Sequence, residues 1–517
     1  MITRRSFCLT ALFGTSLSIL ANDFKKISYL NEYHSVKTTN LDQNQLQYIA
    51  VKPEKNICTK LPVPEGLRTS FNYDYFSLDT SKDRLHLSCD DIPSNFKGKV
   101  YLRLQVAIDT RMEDEVVVYL GNTNRKIGHL SIWYPTGLQI FETLLDCAPI
   151  LLKNEGIRLE QYHGENTMYF YSSMDDNGSH LLLVDQTYKN DESEWIKRLC
   201  SDRSLQPFGW TEGCSLDGLQ DLYILQNDKH AFQAIQSHLD KYLIDDKQLV
   251  YVDLFARPKD NTFTNLEAGL PFATIAQHRP QHHSVDLFIE YCKKRFDTAG
   301  NFTPDYLSTE GCYTLAYPLT QLGKALNKPE LFEMAIIEIE KRIEYLADET
   351  GVYNIGSISK GKTIERRNWG RGFVWFLLGI VKSIEILESD ARFKNHTKIN
   401  KMKEAYRRYS LFALSFQRAD YSWGAYLDQP STRFESSATA GLAAAFAHGN
   451  RIGLLPEFSK SDLKNVYDRL LQNLTPDGYL KDVSQHNAGS IDLLQRGSYR
   501  VIAQYALGFM GQIKTHL

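Results

Sequence analysis

The chain has 517 residues, 43% hydrophobic and 23% charged, with 31 Gly and 16 Pro; that is too long for one ordinary core and too apolar for a disordered chain. Lys and Arg number 59 against 62 Asp and Glu, a formal net charge of −3, which excludes a global attraction to nucleic acid or anionic lipid and leaves any anionic partner to be met locally. The 29 Tyr, 26 Phe and 6 Trp suit large cores and also surfaces that stack on ring-shaped ligands.

Thr3-Arg4-Arg5-Ser6-Phe7 precedes an uncharged run from Cys8 to Ala21, a basic segment ahead of an apolar one too short to span a membrane. Residues 1–22 therefore read as an export signal of twin-arginine type with the periplasm as destination, a Sec signal or an uncleaved anchor being the alternatives. No later run is long and apolar enough to be a transmembrane helix. Cleavage leaves Cys58, Cys89, Cys147, Cys200, Cys214, Cys292 and Cys312, with at least one free or paired between chains. No C-x-x-C spacing occurs, which points to buried thiols and away from zinc or a redox pair. The adjacent His282 and His283 make no metal site by themselves, and neither metal nor other cofactor is expected.

Residues 23–60 show no clear period and read as a linker or strap. Over residues 61–195 the period is two: Leu102, Leu104, Val106 and Ile108 alternate with Arg103 and Gln105, and runs at Val116–Tyr119, Leu130–Tyr134, Met168–Tyr171 and Leu181–Val184 follow between Gly, Asn and Asp. Such spacing predicts an antiparallel β-sandwich. Over residues 196–517 the period becomes helical. Leu216, Leu219 and Tyr223 share one face, as do Phe232, Ile235, Leu239 and Tyr242, and Phe332, Ile336, Ile339, Ile343 and Leu346 mark a long helix. Roughly a dozen helices, paired across short loops, predict an (α/α)6 toroid. Its inner helices are buried on nearly all sides, which explains the scarcity of charge in Phe376–Leu387 and Ala438–Ala447, and their ends form one concave face.

Three segments carry a family resemblance. Trp210-Thr211-Glu212-Gly213-Cys214-Ser215-Leu216-Asp217-Gly218-Leu219, Trp369-Gly370-Arg371-Gly372-Phe373-Val374-Trp375, and Trp423 to Asp428 with Phe434-Glu435-Ser436-Ser437-Ala438-Thr439-Ala440 and Arg451-Ile452-Gly453-Leu454-Leu455 resemble, in order and spacing, the unsaturated uronyl hydrolases of glycoside hydrolase families 88 and 105. The likeness covers the helical half alone, about residues 205–517. It implies removal of a terminal 4,5-unsaturated uronic acid from oligosaccharides left by polysaccharide lyases. In that chemistry a carboxylic acid protonates C4, water adds at C5, and the hemiketal collapses to release the sugar.

The resemblance also implies two carboxylates. Glu310 opens an apolar helix and Glu267 stands one helical hairpin earlier, where the family carries Asp at both positions; Thr264 or Asn265 is the alternative occupant of the second. The longer side chain shifts each carboxyl by roughly one bond length, and the plain alternative for each is a carboxylate offsetting a helix dipole. Arg371 is suited to a uronate carboxylate and Trp375 to stacking on the ring, with Trp210 and Trp369 beside them; a helix-terminal Arg network and core Trp are the alternatives. Arg366 and Arg367 add positive charge nearby, Asn354 stands where relatives carry His, and Asp428 and Glu435 brace the cavity, unless Glu435 caps the helix starting near Ser436. The expected partner is an acidic oligosaccharide, with no nucleic acid and no membrane once the signal is removed, and the oligomeric state is left open. Three rival readings stand: an exo-acting uronidase on saturated glucuronides, which the Asp-to-Glu changes favour; a polysaccharide lyase using Tyr313 and Arg371; and a non-catalytic glycan-binding protein.

Overall fold

The computed structural model describes residues 46–54, 60–79, 84–109, 111–173, 178–362, 366–429, 433–484 and 499–517. The expected export signal, residues 23–45 of the expected linker and Cys58 lie outside them. The described chain falls in one compact unit, Leu46–Leu517.

In chain order the first half runs β1 (Leu46–Ala50), β2 (Lys52–Pro53), β3 (Tyr75–Leu78), β4 (Leu85–Ser88), β5 (Gly98–Gln105), β6 (Glu113–Leu120), β7 (Lys126–Trp133), β8 (Ile140–Leu144), α1 (Pro149–Glu155), β9 (Ile157–His163), β10 (Met168–Tyr171) and β11 (His180–Asp185). They form a sheet of order β1-β11-β5-β8, a second of order β2-β4-β9-β6-β7, and a β10-β3 ribbon. Every pairing is antiparallel. Leu102 lies opposite Leu181 in β11, and Leu102, Leu104, Leu181 and Leu183 are buried with Val116 and Val118 in one core. Period two thus marks the faces of β5 as expected. One expectation is corrected: Leu46–Pro53, read as linker, is strand, β1 against β11 and β2 against β4. Both are edge strands, and β1 is half-buried along nearly its whole length, so no alternation marks it in the sequence.

The second half is helical: α2 (Ser193–Leu199), α3 (Trp210–Gln226), α4 (Lys229–Tyr242), α5 (Phe272–His278), α6 (Ser284–Lys293), a π-helical turn (Cys312–Ala316) running into α7 (Tyr317–Ala325), α8 (Pro329–Leu346), α9 (Gly370–Ser389), α10 (Thr397–Leu414), α11 (Ser436–Arg451), α12 (Lys460–Leu471) and α13 (Ala506–Lys514). Helices α3, α5, α7, α9, α11 and α13 each touch the next, and α13 returns to α3, closing a ring. Outside it α4, α6, α8, α10 and α12 each pack on the preceding inner helix, and α2 packs on α13. This is the (α/α)6 arrangement. Ring closure depends on absent side chains: a Cβ on Gly218 of α3 would stand 2.2 Å from the Gly508 carbonyl oxygen of α13. The outer helices are amphipathic, Leu331, Phe332, Ala335, Ile336 and Ile339 of α8 being buried, whereas α11 is buried from Ser436 to Gly449.

The remaining face of β1, β5 and β11 meets the helices through a buried ion cluster. Arg103 donates to both oxygens of Asp477, at 2.5 and 2.7 Å. Arg198 donates to the same carboxylate at 2.9 Å and to the Tyr48 hydroxyl at 2.6 Å, which itself donates to Asp477. Against the penalty of burial, the Arg103 and Arg198 charges hold the Asp477 carboxyl far below the usual range. A second contact is apolar: Ala256, from the loop before α5, packs with Ala107, Ile108, Leu138, Tyr169 and Tyr171 of the sheets. Beside it Arg68 forks onto Asp260 at 2.6 and 2.7 Å.

The described cysteines Cys89, Cys147, Cys200, Cys214, Cys292 and Cys312 are free. Burial pushes their thiols up, to about 12 for Cys89 and Cys312, so they are neutral.

Candidate active site

The N-terminal ends of α3 and α9 build one wall of a cavity of about 110 Å³. Gly209, at φ +148, turns the chain into α3, and a Cβ there would stand 3.0 Å from the Glu267 carbonyl oxygen; this close approach seats Trp210 beside the turn that carries Glu267. The Trp210 ring meets Trp375 edge-on at 5.4 Å and Tyr505 at 4.8 Å. Trp369 precedes α9, held by a backbone bridge to Tyr426, and its ring lies 4.6 Å beneath the Arg371 guanidinium. Arg371 is 1% exposed. Its Nη1 donates to Ser437 Oγ, Ser484 O and Ser484 Oγ at 2.9–3.1 Å and lies 3.5 Å from Glu435. Its Nε and Nη2 are buried without a hydrogen-bond partner among the described residues. Two unmet cationic donors in a cavity wall suit a carboxylate ligand, because leaving them unpaired is costly.

The opposing groups are acidic. Glu267 lies in a short 3-10 turn, Leu266–Ala268, and Glu310 stands two residues before the π-helical turn; both line the same cavity. Ser308 Oγ donates to Glu310 Oε2 at 3.1 Å, and Thr314, also lining the cavity, donates to the Glu310 carbonyl at 3.0 Å. Burial and then the charge of Glu310 push the Glu267 carboxyl up to about 7, with Arg111 pulling the other way. Burial raises Glu310 as well, opposed by Ser308, Arg366 and Arg342. Burial, with the Glu310 charge added, thus keeps the Glu267 carboxyl protonated up to about pH 7, and burial favours the protonated form of Glu310 too. That arrangement can give a proton to a substrate and take one from water.

All six residues singled out in the sequence, Glu267, Glu310, Trp210, Trp369, Arg371 and Trp375, therefore line one cavity, and Arg366 joins them. Arg367 instead pairs with Asp428 at 3.1 Å. Glu435 caps α11, accepting from the Ala438 N–H at 2.5 Å, and also accepts from Ser437 and Ser484. Asn354 is buried and accepts from Thr309 Oγ1. Missed in the sequence were Arg111, Leu254, Phe255 and Thr314. Thr314 stands one helical turn beyond Glu310, a spacing that was available; Leu254 and Phe255 sit in an aperiodic loop, and Arg111 comes from the sheet half. Among the described residues no group of three or more His, Cys, Asp or Glu is disposed to hold a metal ion, and no helix is long and apolar enough to cross a membrane.

The inner helix ends of the toroid thus gather acidic and aromatic side chains in one cavity. The family model described as Glycosyl Hydrolase Family 88 matches residues 183–515, and the chain belongs to that family; it is a glycoside hydrolase. A search of curated proteins finds no match. Among solved structures it is similar to a possible member of the GH105 family from Salmonella enterica subsp. enterica serovar Paratyphi A str. ATCC 9150, at a TM-score of 0.50 and 17% identity over 60% of this chain and 82% of that one. Another possible GH105 member, from Klebsiella pneumoniae subsp. pneumoniae MGH 78578, gives a TM-score of 0.51 and 18% identity over the same shares. At such identities the likeness is one of fold.

Proposed function

We propose that the protein removes a terminal 4,5-unsaturated uronic acid from oligosaccharides made by polysaccharide lyases, by acid-assisted hydration of the double bond. The observation that carries this reading is the two raised carboxyls of Glu267 and Glu310 in one cavity with the unmet donors of Arg371. Arg371 binds the uronate carboxylate, and Trp210, Trp369 and Trp375 wall the sugar ring. The protonated member of the pair delivers its proton to C4. Water adds its oxygen to C5, and its released proton returns to the carboxylate pair, so the enzyme ends as it began. The resulting hemiketal opens to a C5 ketone and frees C1, which releases the remaining sugar as an alcohol; one water is consumed overall.

In the same reading the two antiparallel sheets are a sandwich packed against the toroid, and the Arg4-Arg5 leader directs export to the periplasm, which cell fractionation of the full-length protein tests. The central experiment follows the ultraviolet absorbance of lyase digests, which conjugated unsaturated uronates carry. The wild type removes it and Glu310→Gln abolishes the activity. Unchanged absorbance across a panel of digests, with uronic acid freed from saturated oligosaccharides, overturns the proposal in favour of a uronidase.

A further inference from the structure

We infer that Arg111 makes the sheet half part of the active site, as a specificity-determining cation for a second anionic group, a sulfate ester or a carboxylate, on the sugar next to the terminal uronate. The inference rests on the uronyl reading above. Arg111 lies outside the residues matched by the family model, 183–515, on the connection from β5 to β6, yet it lines the same cavity as Glu267 and Glu310.

Its backbone sits at φ +53, unusual for a side chain of that size. Asp109 holds it there: Asp109 Oδ1 accepts the Arg111 N–H at 2.8 Å, and Oδ2 lies 2.5 Å from Nε. The guanidinium rests 3.8 Å over the Phe255 ring. Phe255 is itself fixed, because Asp253 accepts its N–H at 2.9 Å and the next residue, Ala256, is packed against the sheets with Ala107 and Ile108. The guanidinium is thus positioned by the ion pair at its Nε edge and by its flat face, and none of its nitrogens makes a hydrogen bond among the described residues.

The cavity cations come from different elements: Arg371 stands in the first turn of α9 over the Trp369 ring, and Arg111 on the β5–β6 connection over the Phe255 ring. A uronate carboxylate seated on Arg371 leaves Arg111 for a group further along the oligosaccharide. A preorganised guanidinium fork matches both sulfate and carboxylate.

The test compares three unsaturated disaccharides whose second sugar is neutral, carries one sulfate ester, or is a uronate. Wild type is expected to favour one or both anionic substrates at least tenfold in kcat/KM, mainly through KM, and less so at high salt. The favoured substrate identifies the anionic group. In Arg111→Gln the ratio falls to within about twofold, and Arg111→Lys restores part of it. A ratio within one protein is insensitive to loss of folded enzyme. Absence of any preference in wild type, or an unchanged preference in Arg111→Gln, overturns the inference. Should all three disaccharides survive intact, the proposed reaction fails, and calorimetric titration of the same compounds judges Arg111 separately: equal affinities for neutral and anionic forms overturn it.

Discussion

Glu267→Gln is expected to make the protein more stable at pH 8 while removing its activity. In the folded state burial and Glu310 raise the Glu267 carboxyl from 4.5 to about 7. At about 1.36 kcal/mol per pH unit, holding that side chain ionised costs about 3 kcal/mol. The sign follows from proton binding. Below about pH 4.5 both folded and unfolded chains carry the proton and stability is unaffected. As pH rises from there through about 7 the unfolded chain releases its proton first, so stability falls, and above about 7 the full penalty is present. Gln carries no charge at any pH and nearly the same volume, so it escapes the loss. The assay is denaturant unfolding of both proteins at pH 4.5 and pH 8 in one buffer series. The two should unfold at similar denaturant concentrations at the lower pH, and the variant should lead by about 2–3 kcal/mol at the higher. An equal pH dependence in the two proteins, or a variant less stable at pH 8, refutes the placement of a strained carboxyl at Glu267.

Three further outcomes follow from the same geometry. The rate of absorbance loss should fall about tenfold per pH unit above about 7, where Glu267 gives up its proton; a pH–rate profile of the wild type checks this. Arg371→Lys removes the unmet Nε and Nη2 donors, and kcat/KM on unsaturated substrates should drop ten- to a hundredfold with KM rising, as read from initial rates. Gly218→Ala places a methyl 2.2 Å from the Gly508 carbonyl oxygen, so α3 and α13 must part, and denaturant unfolding should show a loss of about 3 kcal/mol.

Periodicity carried most of the architecture. The helical faces of α4 and α8 are local consequences of one-sided burial, and the alternation in β5 reflects an apolar core on one face and a polar, ion-paired face on the other. The edge strand β1 was illegible for the converse reason, since an edge half-buried on both faces has no contrast to read, and β2, two residues long, is too short to show a period. Trp210, Trp369, Arg371 and Glu310 were legible because each stands at a helix end beside Gly, where local sequence is constrained. Residue type alone did not separate Arg366, which lines the cavity, from Arg367, which turns to Asp428.

Three properties arise from packing between distant segments. How firmly Glu267 and Glu310 hold a proton depends on the walls that keep water from them and, for Glu267, on the charge of Glu310 from another helical hairpin. That Arg371 has donors to spare depends on Ser437 and Ser484 occupying only one of its nitrogens. Arg111 enters the cavity because Ala256 docks on the sheets and Asp477 gathers Arg103 and Arg198 across the two halves. Local pattern is set by which side of a segment meets water, whereas charge and reactivity are set by which remote segments that side finally touches.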